Sequence, residues 1–258
     1  MQRAYTSLHS GTDHGQDLVT ALLWARDHLR SDQHVTLWCS GQEALPKGWE
    51  ARFVREGVEV VAEWPRRRGG TGPRAFAGPL VAVGFNTLDT VIEVEPFRHP
   101  MCFVGAYDPR NDERFDMHED HPHVRWVEAF EPRNLAGPII SVPNPLIEDG
   151  VVASALESFT AMTYGGKTMY DSRDGGRVTS GLMMLHQNGH RFDPERLFSA
   201  ALRAGWKGSQ ALCFRNVARE VARGVRKRPS ERLGLGSLER WRSKASEQHP
   251  CGYLFHDS

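Results

Sequence analysis

The loop from Arg66 to Gly72 combines three consecutive arginines with three glycines. Guanidinium groups bind phosphate through paired hydrogen bonds, and glycines let backbone N–H groups approach an anion closely. Gly70 to Ala75 also fits Gly-x-Gly-x-x-Ala, but that fingerprint requires a helix to open there, whereas Pro73 and Pro79 flank a segment that quickly becomes a strand. The loop therefore indicates either an anion site or a solvated basic loop.

Polar residues also follow three apolar runs that resemble buried strands. Ser40, Asn86 and Asp108 come shortly after the runs that end near Trp38, Val83 and Gly105. Ligands of open α/β sheets bind where the carboxyl ends of parallel strands converge. We therefore predict one main anion-binding crevice in this part of the chain. Its predicted lining is Ser40, Arg66, Arg67, Arg68, Asn86 and Asp108.

Cys39, at the end of the first of these runs, is a candidate nucleophile. A phosphatase loop would place Arg where Leu45 stands, and a nucleophile elbow would place Gly where Trp38 stands. Neither template is complete, so no catalytic residue is assigned. The alternative is that Ser40 simply caps a following helix.

Three further motifs are incomplete. The segment Asp116–His123, which includes His118, holds six potential metal ligands in eight positions, but His-Glu-x-His before a proline is not metalloprotease spacing. This segment favours a solvated polar loop over a loop that binds a metal, and we assign no metal. Gly165 to Thr168 lacks the first glycine of a P-loop. His186 and His190 flank a helix end, whose dipole accounts for them.

A basic helix is the clearest feature, predicted from Gln210 to about Lys227. Its apolar stripe is Phe214, Val217, Val221 and Val225, and an arginine stripe lies about 200° around the axis. With a preceding helix from Asp193 to Ala204 it has helix-turn-helix proportions. The predicted nucleic-acid contacts are Arg215, Arg219, Arg223 and Arg226. The alternative is an ordinary helical hairpin with a solvated arginine face.

Charge is unevenly distributed along a chain whose net charge is zero. Between Ala201 and Lys244 there are 12 Lys or Arg and 3 Asp or Glu, a local charge of +9. Such asymmetry indicates either an anionic partner or an acidic region neutralised by its own basic tail.

The order of the elements predicts an α/β protein with a Rossmann-like, mostly parallel, doubly wound sheet. Short apolar runs and helical patterns alternate up to Pro143-Asn-Pro145, and only helical signals follow. We predict a Rossmann-like domain over 1–145, a basic helical domain over 146–245 and a tail over 246–258. The predicted strands are 34–38, 57–63, 79–83, 101–105, 124–127 and 138–142.

Several classes are not indicated. We find no signal peptide at the first residues and no stretch of roughly 20 apolar residues, so we expect a soluble cytoplasmic protein without membrane partners. The four cysteines form no Cys-x-x-Cys pair, which argues against a disulfide framework or a zinc ribbon. No cofactor is identified, and oligomerisation stays open.

The sequence from Leu185 to Gly189, with Asp193 to Leu197 and Ala204 to Trp206, resembles the C-terminal part of a family of uncharacterised actinobacterial proteins. The high ratio of arginine to lysine, 27 to 5, fits such a GC-rich source. The resemblance covers roughly the last hundred residues and implies no activity. Two functional hypotheses remain. The preferred one is an anion- or nucleic-acid-binding protein; the alternative is an enzyme acting on a phosphorylated or other anionic small molecule.

Overall fold

The chain forms two compact units, Met1–Val142 and Pro143–Ser258. A computed structural model describes residues 2–6, 14–39, 60–63, 78–84, 100–104, 122–137, 139–234 and 236–248. The first unit holds a parallel sheet, and in the second the described residues form helices and connecting turns. The predicted α/β fold with a helical C-terminal region is confirmed.

Within the described residues, six short strands form a single sheet in the order β3-β2-β4-β5-β1-β6, and every described pairing is parallel. Four of the predicted strands are present, with slightly different ends. Continuous runs such as Leu80–Val83 form central strands because both faces of a parallel sheet are covered. The strands are β1 Arg3–Thr6, β2 Val35–Cys39, β3 Val60–Glu63, β4 Leu80–Val83, β5 Met101–Val104 and β6 Arg133–Ala136.

The two faces of the sheet pack against different helices. Helix α1, His14–Arg26, buries Leu18, Leu22 and Ala25 in a cluster with alternate strand residues such as Leu37. Helix α2, Pro122–Phe130, belongs to the cluster that contains Trp38 and the other alternate positions. The period-2 alternation of strand side chains thus supplies two cores, one on each side of the sheet.

Strand order also defines a switch point at the carboxyl ends. From β2 the chain continues outward to β3, whereas from β4 it continues in the opposite direction to β5. The neighbouring strands β2 and β4 are therefore followed by strands on opposite sides. In doubly wound sheets, a crevice opens at the carboxyl ends where the connections diverge in this way.

Two predicted strands are wrong. Residues 124–127 lie inside α2, where Arg125 and Glu128 form a buried ion pair with the i,i+3 spacing of a helix. Residues 139–142 are not a strand either, and the backbone N–H of Ile140 donates to the hydroxyl of Tyr5. The sheet instead uses β1 and β6, which were not predicted because each contains only two apolar residues.

Five helices make up the described part of the second unit. Asp149, Asp171 and Asp193 each accept backbone N–H bonds at a helix start, the interaction expected of aspartate caps. None of the helices in the described ranges is long and apolar enough to cross a membrane. The helices are α3 Gly150–Met162, α4 Ser172–Gln187, α5 Pro194–Arg203, α6 Gly208–Ala222 and α7 Ser237–Gln248.

Helix α6 differs from its prediction at both ends. It begins at Gly208, two residues before the predicted start at Gln210, and Lys207 before it contributes no side-chain cap. It ends at Ala222 because the next glycine, Gly224, adopts a left-handed φ of 78°. The predicted helix over 210–227 is therefore too long at its carboxyl end, and Arg226 lies outside it.

Candidate anion-binding surface

The predicted crevice residues Ser40, Arg66, Arg67, Arg68, Asn86 and Asp108 lie outside the described residues, as does His118. The strands that precede these crevice residues are described. They are β2, β3, β4 and β5, which are consecutive neighbours in the sheet with the same direction. The crevice therefore stays a prediction.

Cys39 does not have the environment of a nucleophile. It is the fully buried last residue of β2 and belongs to the apolar cluster beneath α1. Burial raises the pKa of its thiol far above the ordinary value, because a thiolate is poorly solvated there. Cys102 on β5 is shifted in the same direction for the same reason. Neither thiol is activated.

Glu195 of α5 is the acidic partner of two arginines of the α6 stripe, and the sequence pattern did not predict this partner. Its side chain is only 11% exposed, and Arg219 Nη2 donates to its Oε1. Arg215 Nη1 lies 3.5 Å from Oε2, and the Arg215 guanidinium also lies over the ring of Phe198. Two of the four predicted nucleic-acid contacts therefore join the two helices of the hairpin.

A cluster of exposed basic residues follows α6 in the chain, in a stretch that we call the basic segment, Arg223–Arg232. All four of its arginines are exposed and form no ion pair with any residue that the structure describes. Lys227 contacts Glu220, and Glu231 lies 3.5 Å from Arg177. The four arginines are Arg223, Arg226, Arg228 and Arg232, of which the first two were predicted from the sequence.

Gly176 of α4 allows the basic segment to pack closely against this helix. A Cβ on Gly176 would lie 2.3 Å from Ser230 Oγ and 2.8 Å from the Glu231 nitrogen. The Ser230 hydroxyl donates to the Ser172 carbonyl, and the backbone N–H of Leu233 donates to Ser180 Oγ at 3.3 Å. The carboxyl end of the segment is thus anchored on α4.

A groove of ≈ 680 Å³ lies between this segment and the second half of α4. Met183 and Met184 contribute apolar side chains to its lining, and Gln187 and Asn188 contribute amides. Its positive charges come from Lys227, Arg228 and Arg232, and no carboxylate lines it among the described residues. We call this feature the basic groove.

A hydrogen-bonded pair of side chains joins the residue before α3 to a residue shortly after α4. His190 Nδ1 lies 2.8 Å from Asp149 Oδ2, while Asp149 Oδ1 accepts the N–H of Val151 at 2.8 Å. From the sequence, His190 was attributed to a helix dipole. Since 41 residues separate the partners, only the fold reveals their contact.

The comparisons with known proteins bear on the same region. The family model described as a domain of unknown function, DUF1889, matches residues 148–242. That range contains Asp149, His190, Glu195 and the whole basic segment, which fits the C-terminal resemblance noted from the sequence. No curated protein and no solved structure matches the chain.

Proposed function

We propose that this protein binds nucleic acid by contacting phosphates with the basic segment and the basic groove. The observation that carries the proposal is the set of four exposed arginines, without ion-pair partners in the described ranges, on a backbone anchored to α4. A polyanion neutralises such a cluster and releases its own counterions, which favours binding. A nucleic-acid partner also fits the predicted cytoplasmic location.

The arrangement favours contact with the phosphate backbone over reading of bases. A recognition helix needs polar side chains that are free to reach base edges in the major groove. On α6 the side chain of Arg215 is 13% exposed, and Arg219 is paired with Glu195. We therefore expect sequence-independent binding in which Arg223 and Arg226 act together with Arg228 and Arg232.

The test compares two triple variants of the full chain that lose equal charge. The first replaces Arg226, Arg228 and Arg232 with Gln. The control replaces Arg173, Lys207 and Arg242, which are exposed and form no ion pair within the described part of the chain.

Fluorescence anisotropy with labelled duplex and single-stranded oligonucleotides at low salt measures the affinity of each variant. We expect the first variant to bind about tenfold more weakly or worse, whatever the sequence, because it loses phosphate contacts. The control should lose much less. An equal loss in both variants would reduce the effect to net charge and refute the assignment to the basic segment.

A second candidate function follows from the strand order. The divergence between β2 and β4 favours a small-molecule site at the carboxyl ends of the strands, where Ser40 and Asn86 follow in sequence. An enzyme acting on a phosphorylated or other anionic substrate would use that crevice. A thermal-shift screen of phosphorylated metabolites tests it. A hit that Ser40→Ala and Asn86→Ala abolish would support this candidate, and stabilisation that survives both changes would oppose it.

A further inference from the structure

We propose that the cavity beside His190 is a binding site for a phosphate group, separate from the basic segment. The source is either inorganic phosphate or the terminal phosphate of a monoester. The inference does not depend on nucleic-acid binding, because it rests on other residues.

The cavity has a volume of ≈ 230 Å³ and a basic lining. Two imidazoles and one guanidinium contribute to it, and no carboxylate does among the described residues. Its volume is below the roughly 300–1,000 Å³ of sites for drug-sized ligands, which favours a small ion or one phosphate group over a whole nucleotide. The lining is His186, Gly189, His190, Arg191, Phe192 and Ala222.

His190 supplies the polar atom that lacks a partner. Its Nδ1 is held by Asp149, and Asp149 is held in turn by the N–H groups of Val151 and Val152. The other ring nitrogen, Nε2, is buried and has no hydrogen-bond partner among the described residues. Nε2 has almost no accessible surface, so a ligand in the cavity reaches it only after a shift of the side chains around the ring. Since buried polar atoms are nearly always paired, the unpaired nitrogen of this cavity-lining residue points to such a ligand.

Hydrogen phosphate can satisfy Nε2 in either protonation state of the imidazole. A neutral ring whose Nδ1–H donates to Asp149 leaves Nε2 as an acceptor, which takes the proton of a P–OH group. A protonated ring makes Nε2–H a donor, which a P–O⁻ oxygen accepts. Arg191 is exposed, forms no ion pair within the described ranges, and offers a guanidinium fork to the remaining oxygens.

A metal ion fits this cavity less well. Of the described residues that line the cavity, only His186 and His190 have metal-ligating side chains, and the Arg191 guanidinium repels a cation. Among the described residues, no group of three or more His, Cys, Asp or Glu could hold a metal ion.

The carboxyl ends of α4 and α6 lie beside the cavity and disfavour an anion. The N–H groups of Asn188, Gly189 and His190 bond the last carbonyls of α4 and weaken that effect.

The test titrates inorganic phosphate into the full chain and follows the histidine ring nitrogens by NMR. We expect a saturable shift of the His190 Nε2 signal at phosphate concentrations up to the millimolar range. His190→Gln and Arg191→Gln should each weaken binding about tenfold or more in calorimetry. Sulfate should bind less tightly wherever the ring is neutral, because it has no proton to donate to Nε2. Glycerol phosphate distinguishes the sources: binding similar to that of phosphate indicates a monoester end, and exclusion indicates the free ion.

Two further variants separate this proposal from folding effects and from the proposed function. Asp149→Ser retains a helix-capping hydroxyl but removes the His190 partner, so it should weaken phosphate binding in a folded protein. The triple variant of Arg226, Arg228 and Arg232 should bind phosphate like the unmodified chain. The absence of a saturable His190 shift in the unmodified protein overturns the proposal, as does undiminished binding by Arg191→Gln together with His190→Gln.

Discussion

Replacing Glu195 with Gln should separate the stability of the helical hairpin from its affinity for polyanions. The change preserves the shape of the side chain and removes the carboxylate that Arg215 and Arg219 share. We expect the hairpin to lose stability, because a mostly buried guanidinium loses its counter-charge. We also expect binding to nucleic acid to tighten, because the change removes a negative charge and the partly exposed Arg219 loses its internal partner.

The magnitude follows from the exposure of the three groups. Removing one partner from a fully buried ion pair costs about 3–5 kcal/mol. Here Glu195 and Arg215 are nearly buried, at 11% and 13%, but Arg219 is 39% exposed and stays hydrated. Glutamine also retains an oxygen that can accept one hydrogen bond. We therefore expect a loss of about 2 kcal/mol in the free energy of unfolding.

Urea denaturation followed by circular dichroism measures this loss, with Glu157→Gln as the matched control. Glu157 pairs with Lys244 across α3 and α7, and both side chains are about half exposed. The control should therefore change stability by less than about 1 kcal/mol. If the two variants are equally stable, the pairing at Glu195 does not hold the hairpin. Unchanged affinity for nucleic acid in Glu195→Gln would show that its arginines do not contribute to binding.

The remaining predictions concern the glycine turn after α3 and the buried thiols. Gly165→Ala should cost about 1 kcal/mol, because its φ of 72° is strained for alanine in otherwise open space. Gly166→Ala should cost about 1–3 kcal/mol more by the same denaturation assay, since its Cβ would lie 2.5 Å from the ring of Trp206. Equal losses in the two variants would contradict that packing. Cys39 and Cys102 should resist iodoacetamide at mildly alkaline pH and react only in denaturant, because burial raises both pKa values and suppresses the thiolate. Rapid labelling of either native thiol, read by mass spectrometry, would contradict this.

Sequence patterns predicted most of the elements because the periodicity of apolar residues is local. The helix that follows Asp193 and the strand from Leu80 to Val83 were predictable in this way. The segment 124–127 was misread because a short apolar run fits both a strand and a buried helix. Strands with few apolar residues, such as Arg3–Thr6, give no local signal, and their neighbours in the sheet determine them.

The candidate site was only partly predictable for a related reason. The excess of arginine was visible, but which arginines are paired depends on Glu195, at least 20 residues away in the chain. The role of Gly176 was also hidden, because a glycine within a helix indicates close packing without naming the partner. The contact between Asp149 and His190 was invisible because it joins two residues distant in sequence.

The salt dependence of binding tests the central claim most directly. If the four exposed arginines of the basic segment contact phosphates, the log of the association constant for duplex DNA should fall with the log of salt concentration at a slope of about −3.6. Replacing Arg226, Arg228 and Arg232 with Gln should make that slope shallower by about 2.7, since each lost contact removes about 0.9. An unchanged slope in this variant, or no binding of the unmodified protein to DNA or RNA at micromolar concentration, would contradict the account.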